Sequence, residues 1–153
     1  MSEQRLEDEI NEILTGELLK NALDFAAFLK ENEMVVGGQH GEVSYKKTPV
    51  CYINIAQGSE FPEPWIVYVE GDYNTIYEDV SVDERLKEIT WANVHSCGSC
   101  SGCRPGKTVS IFGKEFKNVC CNAELAFYKP DAEELECLKK ILKMRKREIL
   151  EKI

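Results

Sequence analysis

The residues best suited to chemistry are cysteines. Of seven in the chain, five (Cys97, Cys100, Cys103, Cys120 and Cys121) fall between positions 97 and 121, where even scatter would leave about one. Cys97-Gly98-Ser99-Cys100-Ser101-Gly102-Cys103 sets three thiols at intervals of three residues, and Cys120-Cys121 follows further along. A metal needs several deprotonated donors converging on one point; a tight loop delivers two or three, and a sequence-distant element closes the set. Gly98 and Gly102 let the backbone turn sharply between donors. A hairpin over 108–120, linked by Gly113-Lys114, brings Cys120 back towards the loop. Successive strand side chains face opposite ways, so normally one of Cys120 and Cys121 points at the metal. We take Cys97, Cys100, Cys103 and Cys120 as the ligand set, with Cys121 or His95 as the alternatives for the last place. Four thiolates on a divalent cation leave a local charge of −2, which Arg104, Lys107, Lys114 and Lys117 are placed to offset.

Zinc suits this set best. The Cys-x2-Cys-x2-Cys run also opens the bacterial ferredoxin pattern, which makes an iron–sulfur cluster the alternative cofactor. That pattern needs a fourth Cys after three residues and then Pro; here Pro105 stands two places after Cys103, and neither Cys120 nor Cys121 precedes a Pro. The loop residues are small and polar, a poor shield for a cluster. A reactive dithiol without metal is the remaining reading. A closed four-thiolate zinc site has no open position for water or substrate, so it is expected to be structural.

Other motifs carry less. Gly106-Lys107-Thr108 ends like a phosphate loop, but Ser101 stands where the first glycine should be and a strand pattern follows. Asp83-Glu84 and Glu133-Glu134 sit at predicted helix starts, where carboxylates favour the dipole. Cys51 and Cys137 lie in apolar segments and read as buried hydrophobes. Tyr45, Tyr52, Tyr68 and Trp65 could line one face of a sheet as a ligand platform, although core packing explains them as well.

The elements that position these groups alternate in period. Helical spacing runs over 3–14 and again from an N-cap at Thr15 to about Glu33. Strand patterns follow at 43–46, 50–55 and 65–69, with a turn signal at Thr48-Pro49. A short helix is expected over 83–94. Residues 122–129 extend the sheet, and a last helix opens with Asp131 as N-cap and Glu134 three residues on, a capping box. The fold class is therefore α+β: one domain over 1–153, an antiparallel β-meander packed with N-terminal and C-terminal helices. It carries the Cys-rich metal-binding loop and hairpin, with 95–121 as a zinc-ribbon-like insertion or appendage.

The C-terminal part, Cys97-x2-Cys100-x2-Cys103, then Ile111-Phe112-Gly113-Lys114-x-Phe116-x2-Val119-Cys120, then Pro130-Asp131-x3-Leu135 and a Lys/Arg-rich helix, resembles small uncharacterised bacterial proteins of the clostridia-type Firmicutes. The resemblance covers roughly residues 91–153. It implies a thiolate metal site on Cys97, Cys100, Cys103 and Cys120, and no activity.

Composition bounds the rest. The chain has 153 residues, 19 Lys+Arg against 27 Asp+Glu for a net charge of −8, 43% hydrophobic and 30% charged residues; this is a globular composition. The summed negative field disfavours nucleic acid held by broad phosphate neutralisation, and the locally basic last helix is where such binding would be sought. The polar N-terminus is not a signal peptide, no apolar run reaches membrane-span length, and clustered thiols outside an oxidising compartment suit metal; a cytoplasmic location is expected. With no array of acid, base and nucleophile, the expectation is a non-enzymatic module that binds a small molecule or protein. It could pair as a homodimer, and the alternative is a redox protein.

Overall fold

A computed structural model describes residues 3–37, 41–55, 65–69, 84–94, 107–112, 114–119 and 125–151. These carry helices α1 (Glu3–Ile13), α2 (Gly16–Glu31), α3 (Glu84–Ala92) and α4 (Ala132–Glu151). The strands are β1 (Val35–Gly37), β2 (Glu42–Tyr45), β3 (Thr48–Ile55), β4 (Trp65–Val69), β5 (Lys107–Ile111), β6 (Lys114–Val119) and β7 (Ala126–Tyr128). The expected α+β class holds. β1 to β4 form an antiparallel meander, β7 adds antiparallel to β4, and β5 with β6 makes a separate two-stranded sheet.

Period-2 side-chain alternation gives the main sheet two faces. Val36, Val43, Tyr45, Cys51, Ile53, Trp65, Val67, Val69 and Phe127 are all buried in one cluster with the apolar faces of the helices. α1 supplies Leu6, Ile10 and Leu14; α2 supplies Ala22, Phe25, Ala26, Phe28 and Leu29; α4 supplies Leu135, Leu138, Ile141, Leu142 and Ile149. The Phe25 and Phe28 rings stack at 6.2 Å, and Phe25 lies 6.4 Å from Trp65 at a tilt, contacts that add to the area these rings bury.

The tyrosine platform is thereby split. Tyr52 is the direct partner of Tyr68 across β3 and β4, so these two share a face. Tyr45 and Trp65 point the other way, into the helix-packed core, where they are 4% and 1% exposed. Residues of opposite parity on neighbouring strands cannot share a surface, which removes half of the expected group.

Local chemistry explains the element ends. The Asp131 carboxylate accepts the Glu134 N–H at 2.8 Å, and the Glu134 carboxylate accepts the Asp131 N–H at 3.4 Å, the reciprocal pair expected from sequence. Thr15 occupies the N-cap of α2 with extended backbone, but its hydroxyl makes no capping bond. α2 stops earlier than Glu33. Glu33 is left-handed (φ 59) and donates its N–H to Lys30 O at 3.2 Å, while Met34 donates to Leu29 O at 2.9 Å; this is a Schellman ending closed by buried Met34 against buried Leu29.

The β2–β3 turn also differs from expectation. Tyr45 pairs with Thr48, so Lys46-Lys47 is the link and Thr48-Pro49 lies inside β3. Pro49 is tolerated there because the register shifts between Val43 and Ser44, and a bulge relaxes the demand for a ladder N–H. Gly41 precedes β2 at φ 70, and a Cβ on it would lie 2.1 Å from Ile53 O. Only glycine fits that approach.

Candidate metal centre

Cys97, Cys100, Cys103, Cys120, Cys121 and His95 lie outside the described residues, as do His40 and Arg104. Among the described residues no group of three or more His, Cys, Asp or Glu side chains is arranged to hold a metal. What the structure does show is the frame on either side of the cysteine-bearing stretches.

That frame closes twice. Val94, just past α3, forms an antiparallel bridge with Leu125. Ala126 donates its N–H to Asn93 O at 3.1 Å, and Val69 donates to Leu125 O at 2.9 Å, so the chain departs from and returns to one edge of the main sheet. The second closure is the open end of the hairpin, where Lys107 pairs with Val119. Cys103 stands four residues before Lys107, and Cys120 follows Val119 directly. At ~3.3–3.6 Å per extended residue, both lie within reach of the same point on covalent geometry alone.

The hairpin differs from its sequence reading in two details. Ile111 pairs with Lys114, so Lys114 belongs to β6 and the connection starts at Phe112, which is left-handed at φ 50. The register also shifts between Lys107 and Val109. β6 has two residues, Lys117 and Asn118, where β5 has one between the flanking pairs. One-to-one pairing is therefore broken here, and parity along β6, which leaves the choice between Cys120 and Cys121 open in the sequence, leaves it open still.

Trp91 attaches the hairpin to the body, a role that sequence reasoning missed. Its indole N–H donates to Ile111 O at 2.8 Å. Lys114 Nζ lies 5.2 Å from the Trp91 ring centroid and 5.3 Å from that of Phe116, within cation–π range. The signal was available: a tryptophan on an apolar helix face must find an acceptor for its N–H. Ile111 and Phe112 are buried and Phe116 half-buried beneath this contact. Lys117, exposed, stands 3.9 Å from the Glu115 carboxylate. Lys114 and Lys117, two of the three lysines expected to offset a thiolate centre, thus have neighbours of their own.

The remaining thiols are structural. Cys51 is wholly buried on β3, and burial pushes its thiol far above the ordinary range, so it stays protonated and unreactive. Cys137 on α4 is 3% exposed and packs against α3, its sulfur 3.4 Å from the Thr90 hydroxyl. Thr90 itself donates to Leu86 O at 2.8 Å. The carboxylates at the helix starts also have structural employment: Glu84 pairs with Lys87 at 3.1 Å, and Glu133 pairs with Arg85.

A cavity of about 250 Å³ opens between α3 and α4, floored by Leu86, Ile89 and Cys137. It is smaller than the ~300–1,000 Å³ of most small-molecule sites, and the Arg85–Glu133 ion pair at its rim satisfies itself. No helix among the described residues is long and apolar enough to cross a membrane. No family model matches the chain, and no curated protein and no solved structure matches it either.

Proposed function

We propose that the stretch from 95 to 121 is closed by a structural zinc ion held by the thiolates of Cys97, Cys100, Cys103 and Cys120, in a non-enzymatic cytoplasmic module that binds a small molecule or protein. The observation that carries the reading is the pairing of Lys107 with Val119, which sets the strand ends next to Cys103 and Cys120 side by side. The donor chemistry fits. Thiolates are the preferred ligands of structural zinc, and a set of four leaves no vacant position for catalysis. When bound, zinc supplies a cross-link between the loop and the open end of the hairpin. The chain's own residues do the rest: Trp91 and Lys114 fix the hairpin on α3, and the Val94–Leu125 bridge holds the excursion at the sheet edge.

The test is elemental analysis of protein purified without added metal, paired with thiol titration before and after chelation. The expected result is close to one zinc per chain and four thiols that become reactive only when metal is withdrawn. Less than about 0.2 zinc per chain, or visible absorbance from iron and sulfide, overturns it. Cys120→Ser and Cys121→Ser made separately assign the fourth ligand, because only the true ligand's loss lowers zinc occupancy.

A further inference from the structure

A positive surface among the described residues lies away in sequence from the cysteine cluster of 97–121. It is built from the Lys46-Lys47 turn and one face of α4. Lys146 Nζ lies 5.1 Å from the Tyr45 ring centroid and Lys46 Nζ lies 5.6 Å from the same ring. One turn back along α4, Lys143 Nζ lies 5.9 Å from the Phe28 ring centroid, as does that of Lys139. Lys139 is committed to Asp24 and Glu136. Burial pulls its pKa down, but the hydrogen bond and charge of Asp24, with Glu136, carry it above the ordinary value. Lys46, Lys47, Lys143 and Lys146 form no ion pair among the described residues.

The turn sharpens the point. A two-residue link of the type I′ form has positive φ at both positions, which Asn-Gly or Gly-Gly supplies without strain. Here both are lysines, at φ 49 and φ 69. Residues held against their backbone preference cluster where the side chain has a task. Lys46 of the turn and Lys146 of α4 bring their ammonium groups to the same Tyr45 ring, and exposed Lys47 adjoins them in sequence, in a chain whose net charge is −8.

We infer that this surface binds the phosphate backbone of a single-stranded nucleic acid, without sequence preference. Tyr45 and Phe28 are 4% and 6% exposed beneath their lysines, so they offer no stacking platform, and contact falls to ammonium on phosphate. A narrow strand touches the patch alone. A flat anionic bilayer would also meet the acidic remainder of the molecule, and Leu150 is the one large exposed apolar side chain that α4 offers it. The argument from whole-chain charge therefore limits broad surfaces and duplexes more than a single strand, since screening confines repulsion to ~8 Å at physiological salt.

The experiment is fluorescence anisotropy of a labelled oligothymidylate of about 20 nucleotides at low salt, titrated with the full chain. Saturable binding is expected, with a slope of log K against log salt of about −2 to −3, from three or four phosphates neutralised. Lys46→Asn/Lys47→Gly is expected to raise the melting temperature by relaxing the turn while weakening binding at least about fivefold. Lys143→Gln/Lys146→Gln is expected to weaken binding at least about tenfold, and Arg85→Gln/Lys87→Gln, which removes as much positive charge from α3, leaves it unchanged. No saturable signal at about 200 µM protein, equal loss in the α3 variant, or equal or tighter binding to phosphatidylserine vesicles or polyglutamate at the same salt overturns the inference.

Discussion

The five-stranded sheet and the β5–β6 hairpin use the same antiparallel ladder and differ in what backs them. One face of the main sheet is roofed by α1, α2 and α4, and nearly every strand residue pointing that way is buried. The hairpin, among its described side chains, buries Ile111 and Phe112, half-buries Phe116, and leans on α3 through Trp91. A two-stranded hairpin is at best marginally stable alone in water. The difference teaches where each region's stability must come from: apolar layers in the body, and point attachments in the hairpin, with the proposed zinc as the strongest.

The largest expected effect tests the body. Gly41→Ala puts a methyl 2.1 Å from Ile53 O and forces a left-handed backbone on a residue that resists it. Because the obstacle is backbone, relief requires moving β3. We expect a loss of more than about 3 kcal/mol, enough to leave much of the chain unfolded at 25 °C, measured by urea denaturation. A loss below ~1 kcal/mol would mean that the main sheet yields as easily as the hairpin, and the contrast would collapse.

Metal withdrawal tests the other side. A chelator is expected to speed amide exchange in β5 and β6 by about 100-fold while leaving β3, β4 and β7 protected. Uniform loss of protection across both sheets would show that the two regions form one cooperative unit. Trp91→Phe is the next step down. It keeps an aromatic ring for Lys114 but leaves Ile111 O without its indole donor, at a cost of ~1–3 kcal/mol if water does not replace it. The loss should appear as faster exchange in the hairpin. Asp131→Ala then removes one half of the capping box on α4, a body element, and should cost about 1 kcal/mol in global stability, or ~2–4 °C in Tm for a chain of this size.

The two regions were also unequally legible. The apolar stripe of α2, the Asp131–Glu134 box and the extension of the sheet near 126–128 follow from spacing within a few residues, and all three are present. β1 was invisible because three residues, Val35–Gly37, carry no period; it exists because β2 offers an edge. Thr48-Pro49 signals a turn by type, yet the turn sits at Lys46-Lys47, because the pairing of Tyr45 with Thr48 is a long-range demand that overrides local preference. Alternation along β6 leaves the choice between Cys120 and Cys121 open, and a bulge in the hairpin, which no residue type announces, gives it no further basis. For the candidate site, spacing names the residue types that the proposal brings together, while the ladder at Lys107–Val119 shows only that the strand ends next to Cys103 and Cys120 lie side by side.

The smallest effect has the opposite sign and asks whether the body is tuned to its limit. Glu33 ends α2 at φ 59, the position where glycine is usual. Its N–H bond to Lys30 O and the Met34 bond to Leu29 O require that conformation, so the backbone cannot relax without opening the cap and unseating Met34, which is fully buried. Glu33 is exposed, and among the described residues its carboxylate makes no hydrogen bond or ion pair. Glu33→Gly removes the Cβ clash of the left-handed state, worth ~1–2 kcal/mol, and adds freedom to the unfolded chain, which returns part of it. A net gain of about 0.5–1 kcal/mol is expected by urea titration, with an unchanged m-value. A net loss would show that the Glu33 side chain contributes more than its backbone costs, and that the end of α2, like the lysine turn beside β2, keeps a strained residue for the sake of its charge.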